Sequence, residues 1–272
     1  LNARYDDPAF QLPTPESLAT VDVAGIEAVA RDAFGPAEFP WSFALSGDFD
    51  VDVVTDLARR YIGSLPDERT GSVGTAGLVE PPPPAGVVVA EADGGEGETA
   101  NVSFLFTGEA TADRRDDVVA SVVREIVGNR LTDFIREELG DSYSPTARLE
   151  LGAGERPPTE LYITVSTAPD LVDDVSAAVV EQLRALQSDG PSDREFSNAV
   201  NTVSEQLNFI NNAQINDEVL GVLVDTGGNA SFDDFVEQAR IIGTVTEDDV
   251  DDALGDWVDL GRYIEVRVTP RS

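Results

Sequence analysis

Two polar side chains seven positions apart, Arg136 and Tyr143, carry the chemistry most readily read from this chain. They flank Gly140, which stops a helical pattern running through Leu131-Thr132-Asp133-Phe134-Ile135-Arg136-Glu137-Glu138-Leu139. Asp141-Ser142-Tyr143-Ser144 then leads into a strand pattern. At such a helix-to-strand corner both side chains can reach into a cleft. Neither does acid–base work at neutral pH, because a guanidinium keeps its proton and a phenol rarely gives one up. Both can hold and polarise a carbonyl. A purely structural account also exists. Arg136 can pair with Asp133 one turn away, worth ~0.3 kcal/mol, and Tyr143 can be a core aromatic with a satisfied hydroxyl. Glu137 and Glu138 read as a solvated helix face. Arg130 and Arg148, near the same corner, are assigned no role.

Absent residue types narrow the chemistry further. The 272 residues include no Cys and no His, so there is no thiol nucleophile, no imidazole base and none of the usual His/Cys zinc sites. All 18 basic residues are Arg, which removes lysine and Schiff-base chemistry. No two carboxylates stand in a setting that would split their pKa values, so a self-sufficient acid hydrolase is not indicated. The formal charge of −34 argues against a nucleic-acid or anionic-membrane partner. The acidity reads either as a solvated surface of the salt-adapted kind or as a chamber that draws in basic peptide segments. Complete replacement of Lys by Arg favours the first. No apolar run is long enough to span a bilayer. The chain opens at Leu1 without a basic-apolar signal segment and is expected to be an excised or mature piece.

The elements that must position the corner follow from periodicity. Helices are expected at 21–34 with Asp22 as N-cap, after Asp48 or Asp50 through Tyr61, and from Thr111 or Asp113 to Leu139. Five more are expected at 171–187, 193–211, 217–225, 232–242 and 247–258. Strands are expected at 41–47, 86–90, 101–107, 145–151, 160–166 and 263–269, with a hairpin turn at 93–98. Val118, Val122, Ile126, Leu131, Phe134 and Ile135 form the apolar stripe of the long helix. Sheet-forming strands with clustered helices indicate an α+β fold, one mainly antiparallel sheet covered by helices on one face.

The two ends of the chain resemble each other. Leu18-Ala19-Thr20-Val21 enters a helix and then a strand from Trp41, and Ile242-Gly243-Thr244-Val245 does the same before Tyr263. This suggests tandem homologous domains. Residues 1–66 would be the C-terminal remainder of one domain, 67–84 a linker ending in Pro81-Pro82-Pro83-Pro84, and 85–272 a complete second domain.

Ser46-Gly47-Asp48-Phe49-Asp50, Tyr61-Ile62-Gly63-Ser64-Leu65-Pro66 and above all the block from Arg130 to Ser144 resemble the pitrilysin/insulinase family of zinc metallopeptidases, the inverted zincins. The resemblance covers nearly the whole chain and is most specific from Arg136 to Tyr143. In that family one half carries His-x-x-Glu-His and zinc. The other half has lost the motif and closes over it like a clamshell. The resemblance implies that this chain is the zinc-free C-terminal half, with no metal ligands of its own and zinc in a partner half on the same chain or a separate subunit. It implies that Arg136 and Tyr143 bind peptide substrate and the tetrahedral intermediate. A periplasmic or other extracytoplasmic location is weakly favoured. The alternative on the same fold is a binding or assembly protein like the core subunits of respiratory complexes, with the Arg–Tyr pair incidental.

Overall fold

A computed structural model describes residues 13–34, 43, 45, 47–63, 85–94, 98–110, 114–138, 145–152, 158–208 and 232–270. They fall into two compact units, 13–63 in one and 85–208 with 232–270 in the other. The expected linker 67–84, the helix at 217–225 and most of the strand at 41–47 lie outside the described residues.

In the first unit, α1 (Pro15–Leu18) is a single turn closed by a reciprocal Thr14–Ser17 capping box. α2 (Val23–Phe34) starts where expected, since the Gly25 N–H donates to Asp22 Oδ1 at 2.6 Å. Of the two candidate caps for α3 (Val51–Tyr61), Asp50 is the one used. Its Oδ1 accepts from the Asp52 and Val53 amides at 2.9 and 3.1 Å. The apolar stripe of α2 is open to solvent, with Ile26 57% and Val29 69% exposed.

The second unit is built on strands β1 (Val88–Asp93), β2 (Ala100–Glu109), β3 (Thr146–Leu151), β4 (Pro158–Thr167) and β5 (Tyr263–Thr269), in the order β1-β5-β2-β4-β3. Three of the pairings are antiparallel, and β1 runs parallel to β5. The hairpin expected between the first two strands does not form, because β5 lies between them and pairs with both. Its first residues explain why. Tyr263, Ile264 and Glu265 are all buried, so β5 is an interior strand, whereas β1 is half open to solvent.

The sheet has one packed face. Val102, Phe104 and Phe106 of β2 stand in register with Val165, Ile163 and Leu161 of β4, and all six are buried. Alternate residues form a hydroxyl-rich opposite face, where Ser103 and Thr164 meet at 3.2 Å and the Ser166 hydroxyl donates to Asn101 Oδ1 at 2.6 Å. The helices are α4 (Arg114–Glu138), α5 (Val172–Asp189), α6 (Asp193–Asn208), α7 (Phe232–Ile241) and α8 (Glu247–Trp257). α4, α5 and α8 pack against the strands, and α6 lies against α4. The core joins both layers, from Phe104 and Phe106 to Ile126, Leu183, Leu254 and Trp257. The arrangement is the α+β class expected, one mixed and mainly antiparallel sheet with helices on one side.

Candidate functional site

Helix α4 sets the corner. Its buried side is wider than the expected stripe, because Val119, Val123 and Val127 are buried along with Val118, Val122 and Ile126. The helix is covered by the sheet and by α5, α6 and α8, so burial extends round more than one face. Phe134, expected in the stripe, is only partly buried, whereas Leu131 and Ile135 are almost fully enclosed. These two anchor the last turns. Arg136, the next residue, therefore points away from the core and is exposed in the final turn. There a cation also complements the C-terminal end of the helix dipole. The chain re-enters the sheet at Thr146 as edge strand β3, so the helix-to-strand order around the corner is as expected. Tyr143 lies outside the described residues, and the structure fixes Arg136 alone of the two.

Arg130, given no role from sequence, holds this helix to its neighbour. Its Nε donates to Glu195 Oε1 and its Nη2 to Glu195 Oε2, both at 2.6 Å. Such a two-point guanidinium–carboxylate contact fixes orientation as well as distance. Glu195 is also the third residue of α6 and completes a capping box. The Ser192 amide and hydroxyl donate to its Oε2 at 2.8 and 2.7 Å. The Arg130 hydrogen bonds hold the Glu195 carboxyl down at about 2. The Ser-x-x-Glu spacing at 192–195 is legible in the sequence. That the same carboxylate also receives an arginine 65 positions away is not.

Arg115, in the first turn of α4, does the same at the other end. It donates to Asp249 Oδ1 and Oδ2 at 3.0 and 2.6 Å and to the Thr244 carbonyl at 2.8 Å. Asp249 closes the Thr246 capping box of α8, and the Arg115 hydrogen bonds hold its carboxyl at about 2. A third arginine, Arg267 on β5, donates to Glu265 Oε1 at 2.5 Å, to Asp173 Oδ1 at 2.7 Å and to the Ser176 hydroxyl at 3.0 Å. Glu265 is buried and also accepts from Ser176 at 2.6 Å. This network borders a polar hollow of about 350 Å³ lined by Glu91, Asp93 and Asp173. Its hydrogen bonds tie β5 to α5, so it reads as support for the sheet. Arg148 pairs with Glu150 on β3.

Among the described residues no group of three or more carboxylates is placed to hold a metal ion, and no helix is long and apolar enough to cross a membrane. The donor set likewise does not fit zinc as the sequence resemblance describes it, for the chain has no His and no Cys.

The family model described as the peptidase M16 inactive domain matches residues 42–203, a span that includes the corner. No curated protein sequence matches the chain. The fold matches the periplasmic protease PqqL from Escherichia coli with a TM-score of 0.74 and 16% identity, over 99% of this chain and 30% of that one. It matches a peptidase M16 inactive domain from Pseudomonas fluorescens with a TM-score of 0.66 and 17% identity, over 95% of this chain and 60% of that one. A chain of complex III2 from Candida albicans matches with a TM-score of 0.60 and 16% identity, over 82% of this chain and 54% of that one. The chain thus spans under a third of the length of PqqL and less than two thirds of the other two.

Proposed function

The chain belongs to the peptidase M16 inactive domain family, and on that premise we propose that it is the zinc-free half of a two-half zinc metallopeptidase. It closes a chamber over a zinc-bearing half and contributes Arg136 and Tyr143 to peptide hydrolysis there. The observation that carries the proposal is the exposed Arg136 at the end of a core-anchored helix, inside the segment matched by the inactive-domain family.

Zinc in the other half would supply a nucleophilic hydroxide and polarise the scissile carbonyl. This chain's part is to bind and orient. The Arg136 guanidinium donates to a substrate carbonyl and sets the register of the peptide. The Tyr143 hydroxyl donates to the oxyanion as it develops, where a hydrogen bond counts for more than in the ground state. Because the two halves share one site, turnover depends on their closing. The periplasmic location of PqqL supports an extracytoplasmic setting.

The likeness to a complex III2 chain supports a second reading, an assembly protein on the same fold in which the Arg–Tyr pair has no part. The test is to combine this chain with a zinc-bearing half, joined to it or supplied as a separate subunit. Neither cleavage nor zinc binding is expected from this chain alone, and cleavage of unfolded peptides is expected from the pair. Tyr143→Phe should then lower kcat by about a hundredfold with little change in KM. Parent-like turnover in that variant would remove the oxyanion role. A stable complex that cleaves nothing would favour assembly.

A further inference from the structure

We infer that Arg130 and Glu195 are positioning residues for Arg136, setting where its guanidinium meets the peptide, an inference that rests on the peptidase reading above. The last turns of α4 are held in two ways. Leu131 and Ile135 fix them against the core, 1% and 0% exposed. Those contacts are apolar and non-directional, and set depth better than they set rotation or axial shift. The Arg130–Glu195 contact is directional. Both N–H···O distances are 2.6 Å, and the arginine side chain is 17% exposed, so the pair is largely shielded from water. Glu195 is itself fixed, because Ser192 holds it from the backbone and the hydroxyl at the start of α6. Arg130 lies six residues before Arg136 on one continuous helix, so a rotation or slide of that segment at residue 130 is passed to residue 136.

None of the other long-range arginine contacts named above acts here. Arg115 ties the opposite end of α4, and Arg267 belongs to β5. Arg130 and Glu195 touch each other rather than the substrate. Their effect on the reaction passes through Arg136, and a misplacement of about 1 Å at such a group can cost on the order of a hundredfold in rate.

The experiment uses the assembled two-half peptidase. Glu195→Gln keeps an acceptor for Ser192 and removes the charge that holds Arg130. Arg130→Lys keeps the charge and removes the two-point geometry, and serves as the second variant should the first fail to fold. Each is combined with Arg136→Ala in a double-mutant cycle read in kcat and KM. Either single change should lower kcat about tenfold. In the Arg136→Ala background neither should lower it further, since there is no guanidinium left to misplace. An equal fold-loss in both backgrounds would show a merely structural role, and no loss in the parent background would likewise overturn the inference while leaving the peptidase reading intact. Parent-like turnover in Arg136→Ala alone would remove the role of Arg136 and with it the inference, whereas a parent pair that cleaves nothing would overturn the peptidase reading itself.

Discussion

Arg115, Arg130 and Arg267 each reach a carboxylate far along the chain; Arg115 and Arg130 hold theirs through two nitrogens, whereas Arg267 divides its nitrogens among Asp173, Ser176 and the nearby Glu265. A lysine ammonium could supply the charge but not the planar fork, so Arg usage has a structural consequence at these three positions. Two of the carboxylates answer to pH. Glu195 is held at about 2 against an ordinary 4.5, and Asp249 at about 2 against 3.8. A depressed folded-state value contributes stability above the unfolded-state pKa and loses it as pH falls through the folded one. The contribution of Glu195 is therefore complete above pH ~5 and fades towards pH ~2. Protonating the many exposed acids relieves repulsion at the same time, so the informative quantity is the difference between parent and variant. Glu195→Gln is expected to cost about 1–2 kcal/mol at pH 7. The gap should narrow below pH ~5 and close near pH ~2 in urea melts taken across that range. A gap independent of pH would contradict the assignment. The exposed place of Arg136 at the end of α4 was legible because the helical period around it is local. The Arg130 partner was not, since nothing near residue 130 announces residue 195.

At the scale of elements, the tightest point is where β2 passes the end of α8. A methyl group on Gly108 would stand 2.4 Å from the Asp256 carbonyl oxygen and 2.4 Å from Trp257 Cα, both backbone atoms that cannot swing away. The Thr159 hydroxyl donates to the Trp257 carbonyl at 3.0 Å in the same place. Gly108→Ala should cost about 2–4 kcal/mol in urea denaturation. Gly255→Ala, on α8 with nothing within 4 Å of the added carbon, should instead gain about 0.5–1 kcal/mol. Equal effects at the two sites would refute the close approach. Helix limits were mostly legible, because caps and periodicity are properties of neighbouring residues. Asp22, Asp50 and Thr246 act as caps. The pairing of β1 was not legible, since strands adjacent in sequence normally pair and only the late strand β5 shows that these two do not.

For the whole molecule, the dominant quantity is a formal charge of −34. Like charges repel in the compact state, and salt screens them over a length of about 10 Å at 0.1 M and about 3 Å at 1 M. The thermal midpoint should rise by several degrees between about 0.1 and 1 M KCl. A midpoint unchanged or lower at high salt would show that the ion pairs of Arg115, Arg130 and Arg267 outweigh the general repulsion. What the amino-acid sequence determined by itself is what depends on residue type and near neighbours. That includes the excluded chemistries, the α+β class and, among the described residues, most helix limits and their caps. Tertiary structure decided the place of β5 between β1 and β2, the burial of α4 round more than one side, and the fastening of its last turns by Glu195. Each depends on contacts between residues far apart in the chain, where burial and charge pairing are settled only once the layers have packed.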